Sequence, residues 1–141
     1  MKRFFMVSLL LLTACTTSPV SINSASPVPS DRLLAFQPEP SGAFAPVVVV
    51  RDSGFQGSAC DIGFYVDGKL SASFAPSERA TFNVPVGEHI FGASQVGGGL
   101  CGGSTQSGMR EVSVVLHPGG AKKMRIGVTT GGDVILAPTA F

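Results

Sequence analysis

Few side chains in this 141-residue protein are suited to chemistry: three cysteines, two histidines and nine acids. His89 and His117 each lack a second histidine at zinc-ligand spacing, and H-E-x-x-H is absent. No G-x-S-x-G elbow presents a serine nucleophile. A Ser-His-acid triad assembles in space, so it would require His89 or His117 in a cleft beside a carboxylate. Asp52, Asp61, Asp67, Glu78 and Glu88 fall at turns and strand ends. There, acids act as caps and turn formers, and a glycosidase-type pair would need a cleft to hold it. Gly97, Gly99 and Gly102 spell G-x-G-x-x-G. A dinucleotide site needs a strand before that pattern, a helix after it and an acid about twenty positions on. Ser104, Thr105 and Gln106 follow instead, and then a strand. The residues point to no enzyme, no metal and no cofactor.

Charge excludes a further class. Ten Lys plus Arg stand against nine Asp plus Glu, and aromatic residues are sparse among the cations. Nucleic acid is therefore not an expected partner. Lys122, Lys123 and Arg125 form the only cationic cluster, which reads as a solvated strand face.

The cysteines carry more. A basic pair, Lys2 and Arg3, precedes an apolar run from Phe4 to Leu12, and Leu12-Thr13-Ala14-Cys15 closes it. This is the pattern of a cleavable export signal. The run is shorter than the ~20 residues that span a bilayer as a helix. Its last four residues resemble the lipobox of bacterial lipoproteins. The resemblance implies cleavage before Cys15, acylation of the Cys15 sulfur and amine, and a lipid-tethered mature protein. Thr16 is not the aspartate that resembles an inner-membrane retention signal, which implies outer-membrane attachment with the domain facing the periplasm. Cys60 and Cys101 remain, an even pair in an exported chain, so a disulfide is expected. A closed loop of about 42 residues is worth roughly 4 kcal/mol in the chain-entropy account. A buried thiol pair and a metal site are the alternatives.

Three regions position these residues. Residues 1–14 form the leader. Residues 15–45 carry the lipidated Cys15 and a Ser/Pro-rich stretch whose composition offsets little ordering entropy, so it reads as a flexible tether. Leu33-Leu34-Ala35-Phe36 is the one piece of it suited to docking. Residues 46–141 read as an all-β domain. Val47 to Val50 is a β-branched run without helical spacing. Ile62 and Phe64, then Leu70, Ala72 and Phe74, alternate about the hairpin signal Asp67-Gly68. A three-residue loop, Val66-Asp67-Gly68, would pair Phe64 with Leu70 and Ile62 with Ala72, placing both apolar sets on one face with Gly68 at positive φ. Tyr65 would then point to the outer face. Ala80, Phe82 and Val84 alternate before the turn Pro85-Val86-Gly87, and His89 to Ser94 returns. Val112, Val114 and Leu116, then Met124, Ile126 and Val128, then Val134 to Ala137 complete the set. About seven or eight short strands separated by turn signals predict a single small antiparallel β-sandwich. A glycine-rich segment from Val96 to Gly108 interrupts the pattern, and a Cys60–Cys101 bond would pin it.

The segment Cys60 to Ala93 resembles the PEGA-type module of bacterial surface proteins, through Tyr65-Val66-Asp67-Gly68-Lys69 and then Pro85, Gly87, Glu88 and His89. The chain is similar to small bacterial lipoproteins that carry one such module. The resemblance implies a binding or spacing element of the cell envelope, with no catalytic residue to carry over. The expected function is a non-enzymatic, lipid-anchored interaction or accessory module whose partners are the membrane, through Cys15, and an envelope protein. The candidate contact residues are Tyr65, Gly98, Gly99 and Leu100. The alternative is a periplasmic inhibitor of a lysozyme-type cell-wall hydrolase, with the glycine-rich loop filling the enzyme's cleft.

Overall fold

A computed structural model describes residues 17–101 and 108–140. The leader, Cys15 and Thr16 lie outside the described residues. The alternating segments become strands: β1 (Ser26–Pro27), β2 (Phe44–Arg51), β3 (Asp61–Val66), β4 (Lys69–Phe74), β5 (Glu78–Pro85), β6 (Gly87–Val96), β7 (Arg110–Leu116), β8 (Lys122–Val128) and β9 (Val134–Pro138). They make two sheets, one in the order β1-β5-β2-β8-β9 and the other β4-β3-β6-β7. The sheets face each other as a small β-sandwich. Alternation supplies the reason: Ala45, Val47 and Val49 of β2, Phe82 and Val84 of β5, and Met124 and Ile126 of β8 turn inward, as do Ile62 and Phe64 of β3 and Phe91 of β6. Phe64 is the centre of this core, with ring centroids 5.2 Å from Phe82 of the opposite sheet and 5.3 Å from Phe91 of its own. Such aromatic contacts bury the largest apolar areas per residue and add to burial through tilted and edge geometry.

The connection through Pro85, Val86 and Gly87 does not close a hairpin. It hands the chain from one sheet to the other, and the Val86 N–H donates to Ala43 O at 3.0 Å. The two sheets are thus built by repeated crossing, and β2 lies parallel to β8 in the middle of the larger one.

The β3–β4 hairpin departs from the expected register. Tyr65 pairs with Leu70 and Val66 with Lys69, so the loop has two residues, Asp67 and Gly68. Both are at positive φ, 50° and 78°. That is the requirement of a type I′ turn, whose twist matches the strands it joins. The apolar faces are aligned by a different device. The register shifts between Tyr65 and Phe64, so Phe64 pairs with Ala72 and Ile62 with Phe74. Ser71 is the extra residue of this β-bulge. Its carbonyl accepts the N–H groups of Leu34 and Ala35 at 2.9 and 3.2 Å.

The expectation of a free tether is corrected from Thr17 onward. Ser18 exchanges backbone hydrogen bonds with Ser53, and β1 pairs in parallel with the start of β5. Val28 enters the core, and Leu33 and Phe36 pack against it. Arg32 forms a two-pronged pair with Glu78. Phe36 O then accepts from Asn83 N–H, so the segment returns to β5. A Ser/Pro-rich stretch cannot build a core of its own, but here it needs none. It laces the outer edges of β4 and β5, the strands whose unpaired backbone would otherwise be open on that side of the sandwich.

Candidate functional site

Strand direction decides which loops meet. β2 and β8 end where β3 begins, and β6 ends opposite Asp61. The connections 52–60 and 129–133 and the segment Gly97–Cys101 therefore share one end of the sandwich. The disulfide expected between Cys60 and Cys101 is present there. It ties the segment after β6 to the connection before β3. An open groove of about 470 Å³ lies beside it, lined by Arg32, Asp61, Ser73, Val96, Gly98 and Cys101 among others.

The groove's polar groups are already engaged. Arg32 donates through Nη1 to Glu78 Oε2 (2.8 Å) and to Ser73 O (3.0 Å), and through Nη2 to Glu78 Oε1 (2.5 Å). Asp61 Oδ2 stands 3.6 Å from the same guanidinium. The Glu78 hydrogen bond raises the Arg32 pKa against the opposing effect of desolvation. Glu78 also accepts the Ala75 N–H at 2.7 Å. The arrangement presents a fixed cation and glycine backbone, which suits contact better than proton transfer.

The candidate contact residues separate. Gly98 and Gly99 are exposed, and Leu100 is fully so (103 %). Gly98 lines the groove. Tyr65 is only 8 % exposed, which corrects its expected role as an exposed anchor. It does lie off the core face of its sheet, but it is covered there. A Cβ placed on Gly63 would come within 3.0 Å of the Tyr65 ring and closer still to Val96 and Leu70, and one on Gly92 would press on Met109 and Tyr65. The ring therefore occupies space that two glycines leave open, and Ser94 Oγ reaches its hydroxyl at 3.4 Å. Gly102 of the G-x-G-x-x-G pattern, and residues 102–107 generally, lie outside the described residues.

His89 is at the other end of the sandwich, not in the groove. Its Nδ1 is 2.7 Å from Asp67 Oδ2 and its Nε2 is 2.8 Å from Pro85 O. Asp67 also accepts the Ile90 N–H at 2.9 Å. The imidazole thus braces the β3–β4 turn against the start of β6, with both ring nitrogens used. His117 is exposed beyond β7. Sequence reasoning missed two buried charges behind the groove. Arg51 is 2 % exposed and donates to the carbonyls of Cys60, Phe74 and Gly57. Asp52 is 1 % exposed and accepts a fork from Arg125. Their signal was faint: a charged pair directly after a four-valine run reads as a strand leaving the core.

The brace makes a measurable prediction. The hydrogen bond from His89 holds the Asp67 carboxyl below its ordinary range, with further help from the Ile90 N–H. The resulting stability is present above the ordinary carboxylate range and is lost as pH falls through the depressed value. Asp67→Ala should cost about 1–2 kcal/mol, because Ala is penalised at positive φ and loses the cap. Asp67→Asn keeps the turn and should cost less. Urea unfolding at neutral pH should give that order, and the gap between the parent and Asp67→Asn should narrow in acid.

No family model, curated protein or solved structure matches this chain.

Proposed function

We propose that this protein is a non-enzymatic lipoprotein of the bacterial cell envelope, anchored through Cys15, whose β-sandwich serves as an interaction or accessory module. The observation that carries the reading is the Cys60–Cys101 disulfide. It supports an oxidising compartment, where such bonds form and persist. It also consumes two of the three cysteines and leaves Cys15, at the foot of an export-signal pattern, as the remaining thiol. Several acyl chains on one residue anchor a protein far more firmly than a single chain. No described helix is long and apolar enough to cross a membrane. The groove beside the disulfide supports contact over catalysis, since its guanidinium is already forked by Glu78. The PEGA-like hairpin motif points to the same class of envelope module, and Thr16 favours the outer membrane with the domain in the periplasm.

Cell fractionation with mass spectrometry of the mature amino end tests this. The parent should fractionate with membranes and begin at an acylated Cys15. Cys15→Ser should lose the acyl mass and, with the lipobox broken, keep a leader whose apolar run is shorter than a bilayer span, so its membrane association should fall at least about tenfold. A parent with no acyl mass, or a Cys15→Ser protein that fractionates as the parent does, would overturn the proposal.

A further inference from the structure

We infer that the end of the sandwich bearing the disulfide rests on the membrane, with Phe55 and Leu100 as tips that enter the lipid surface. The inference builds on the lipid anchor at Cys15 proposed above. Its first support is chain length. Thr17 is fixed to the domain: its Oγ1 donates to Val128 O at 3.1 Å and accepts the Val128 N–H at 3.0 Å, and the next residue bridges to Ser53. Only Thr16 separates that fixed point from Cys15. The two residue steps from Cys15 to Thr17 span at most about 7 Å, so an acylated Cys15 would hold this end against the bilayer.

The second support is what this end displays. Phe55 lies between Ser53, which bridges to Ser18, and Gly57, whose Cβ position is 3.0 Å from Val128. It is 85 % exposed. Leu100 lies beside the disulfide and is entirely exposed. These are the two most exposed large apolar side chains among the described residues. Soluble surfaces carry single exposed apolar residues, but two at one end beside an anchor are the pattern of an interfacial contact.

The third support is charge. The segments 53–60, 75–77, 96–101 and 129–132 contain no Asp, Glu, Lys, Arg or His. Of the charged groups bordering this end, Asp61 and Glu78 pair with Arg32 and Arg110 stands 3.9 Å from Asp133, while Asp31 is exposed beside Arg32. The opposite end carries Asp67, Lys69, Glu88, His89, Lys122 and Lys123. Uncharged tips enter the headgroup region at little desolvation cost, while the charged end stays in water.

The chain has no tryptophan, so a single introduced indole reports its own depth. The probe is the full lipidated protein in phosphatidylethanolamine–phosphatidylglycerol vesicles containing a bromine-labelled phosphatidylcholine. Phe55→Trp and Leu100→Trp, at two exposed positions on separate loops, should each lose about half of their emission or more relative to unbrominated vesicles. His117→Trp, at the far end, should change little. Vesicles that float with bound protein while both tip indoles quench no more than the His117→Trp control would overturn the inference and leave the anchor standing. Quenching at one tip alone would remove the other from the contact. Protein that does not float with the vesicles would overturn the anchor and this inference together.

Discussion

Arg51→Met is expected to lower the unfolding free energy by about 3 kcal/mol, as read from urea unfolding, although it removes a buried charge and adds an apolar side chain. Two effects oppose each other here. Arg51 is 2 % exposed, and burial lowers its pKa below the ordinary arginine value, while Asp61 and Glu78 partly offset this from a distance. Removing the cation relieves that cost. Against it stand three carbonyls, Cys60 O at 2.9 Å, Phe74 O at 2.6 Å and Gly57 O at 2.7 Å, each accepting from the one guanidinium. An orphaned buried acceptor costs about 1–3 kcal/mol; Phe74 O is buried and the other two are part-buried, and together they outweigh one relieved charge. Arg51→Lys keeps the charge but lacks the planar fork, so it should recover only part of the loss. A Met variant as stable as the parent would mean that charge burial governs the site. The effect should concentrate where those carbonyls lie, in the connection before β3 and at the end of β4.

Asp52→Asn should cost about 3 kcal/mol and should also loosen the amino-terminal segment. The Asp52 side chain is wholly enclosed and accepts from Arg125 Nε at 2.7 and 2.9 Å and from Nη2 at 2.5 Å. That pairing raises the Arg125 pKa. Removing one partner of a closely paired buried ion leaves the other uncompensated. Asp52 also accepts from Thr17 Oγ1 at 3.3 Å, and the neighbouring Ser53 holds Ser18. The variant should therefore be cut by protease between residues 17 and 28 faster than the parent under conditions where the sandwich stays folded. Asp52→Asn combined with Arg125→Met should regain part of the lost stability, because the second change removes the orphaned cation. Unchanged cleavage together with lowered stability would separate the ion pair from the docking of the segment.

The strands were legible because their apolar residues alternate, and the disulfide because two cysteines were left in a chain whose amino end reads as an export signal. The hairpin was half legible. Asp67-Gly68 announced a turn and Gly68 its positive φ. The loop length was misjudged because alignment of the apolar faces was assigned to the turn, whereas a bulge at Ser71 supplies it. A bulge leaves no local mark when the extra residue is as ordinary as serine. The docked segment was legible only at Leu33-Leu34-Ala35-Phe36, the piece expected to dock, whose Leu33 and Phe36 pack against the core; the rest was not legible, for a different reason. Ser, Pro and Ala predict that a stretch cannot fold alone, but whether it binds depends on edges that β4 and β5 create far along the chain. Tyr65 was placed on the correct face of its sheet. Its burial depended on Gly63, Gly92 and Met109, which only the strand register brings beside it.

The lacing along β4 and β5 also stores length. Held against the domain, residues 17–43 would keep the sandwich close to an anchor at Cys15. Peeled away, roughly 27 residues at about 3.3 Å each would pay out as much as ~90 Å of slack. With the lipid anchor proposed at Cys15, release of the bonds at Ser18, Ser26 and Arg32 would let the sandwich stand far from the membrane instead of flush with it.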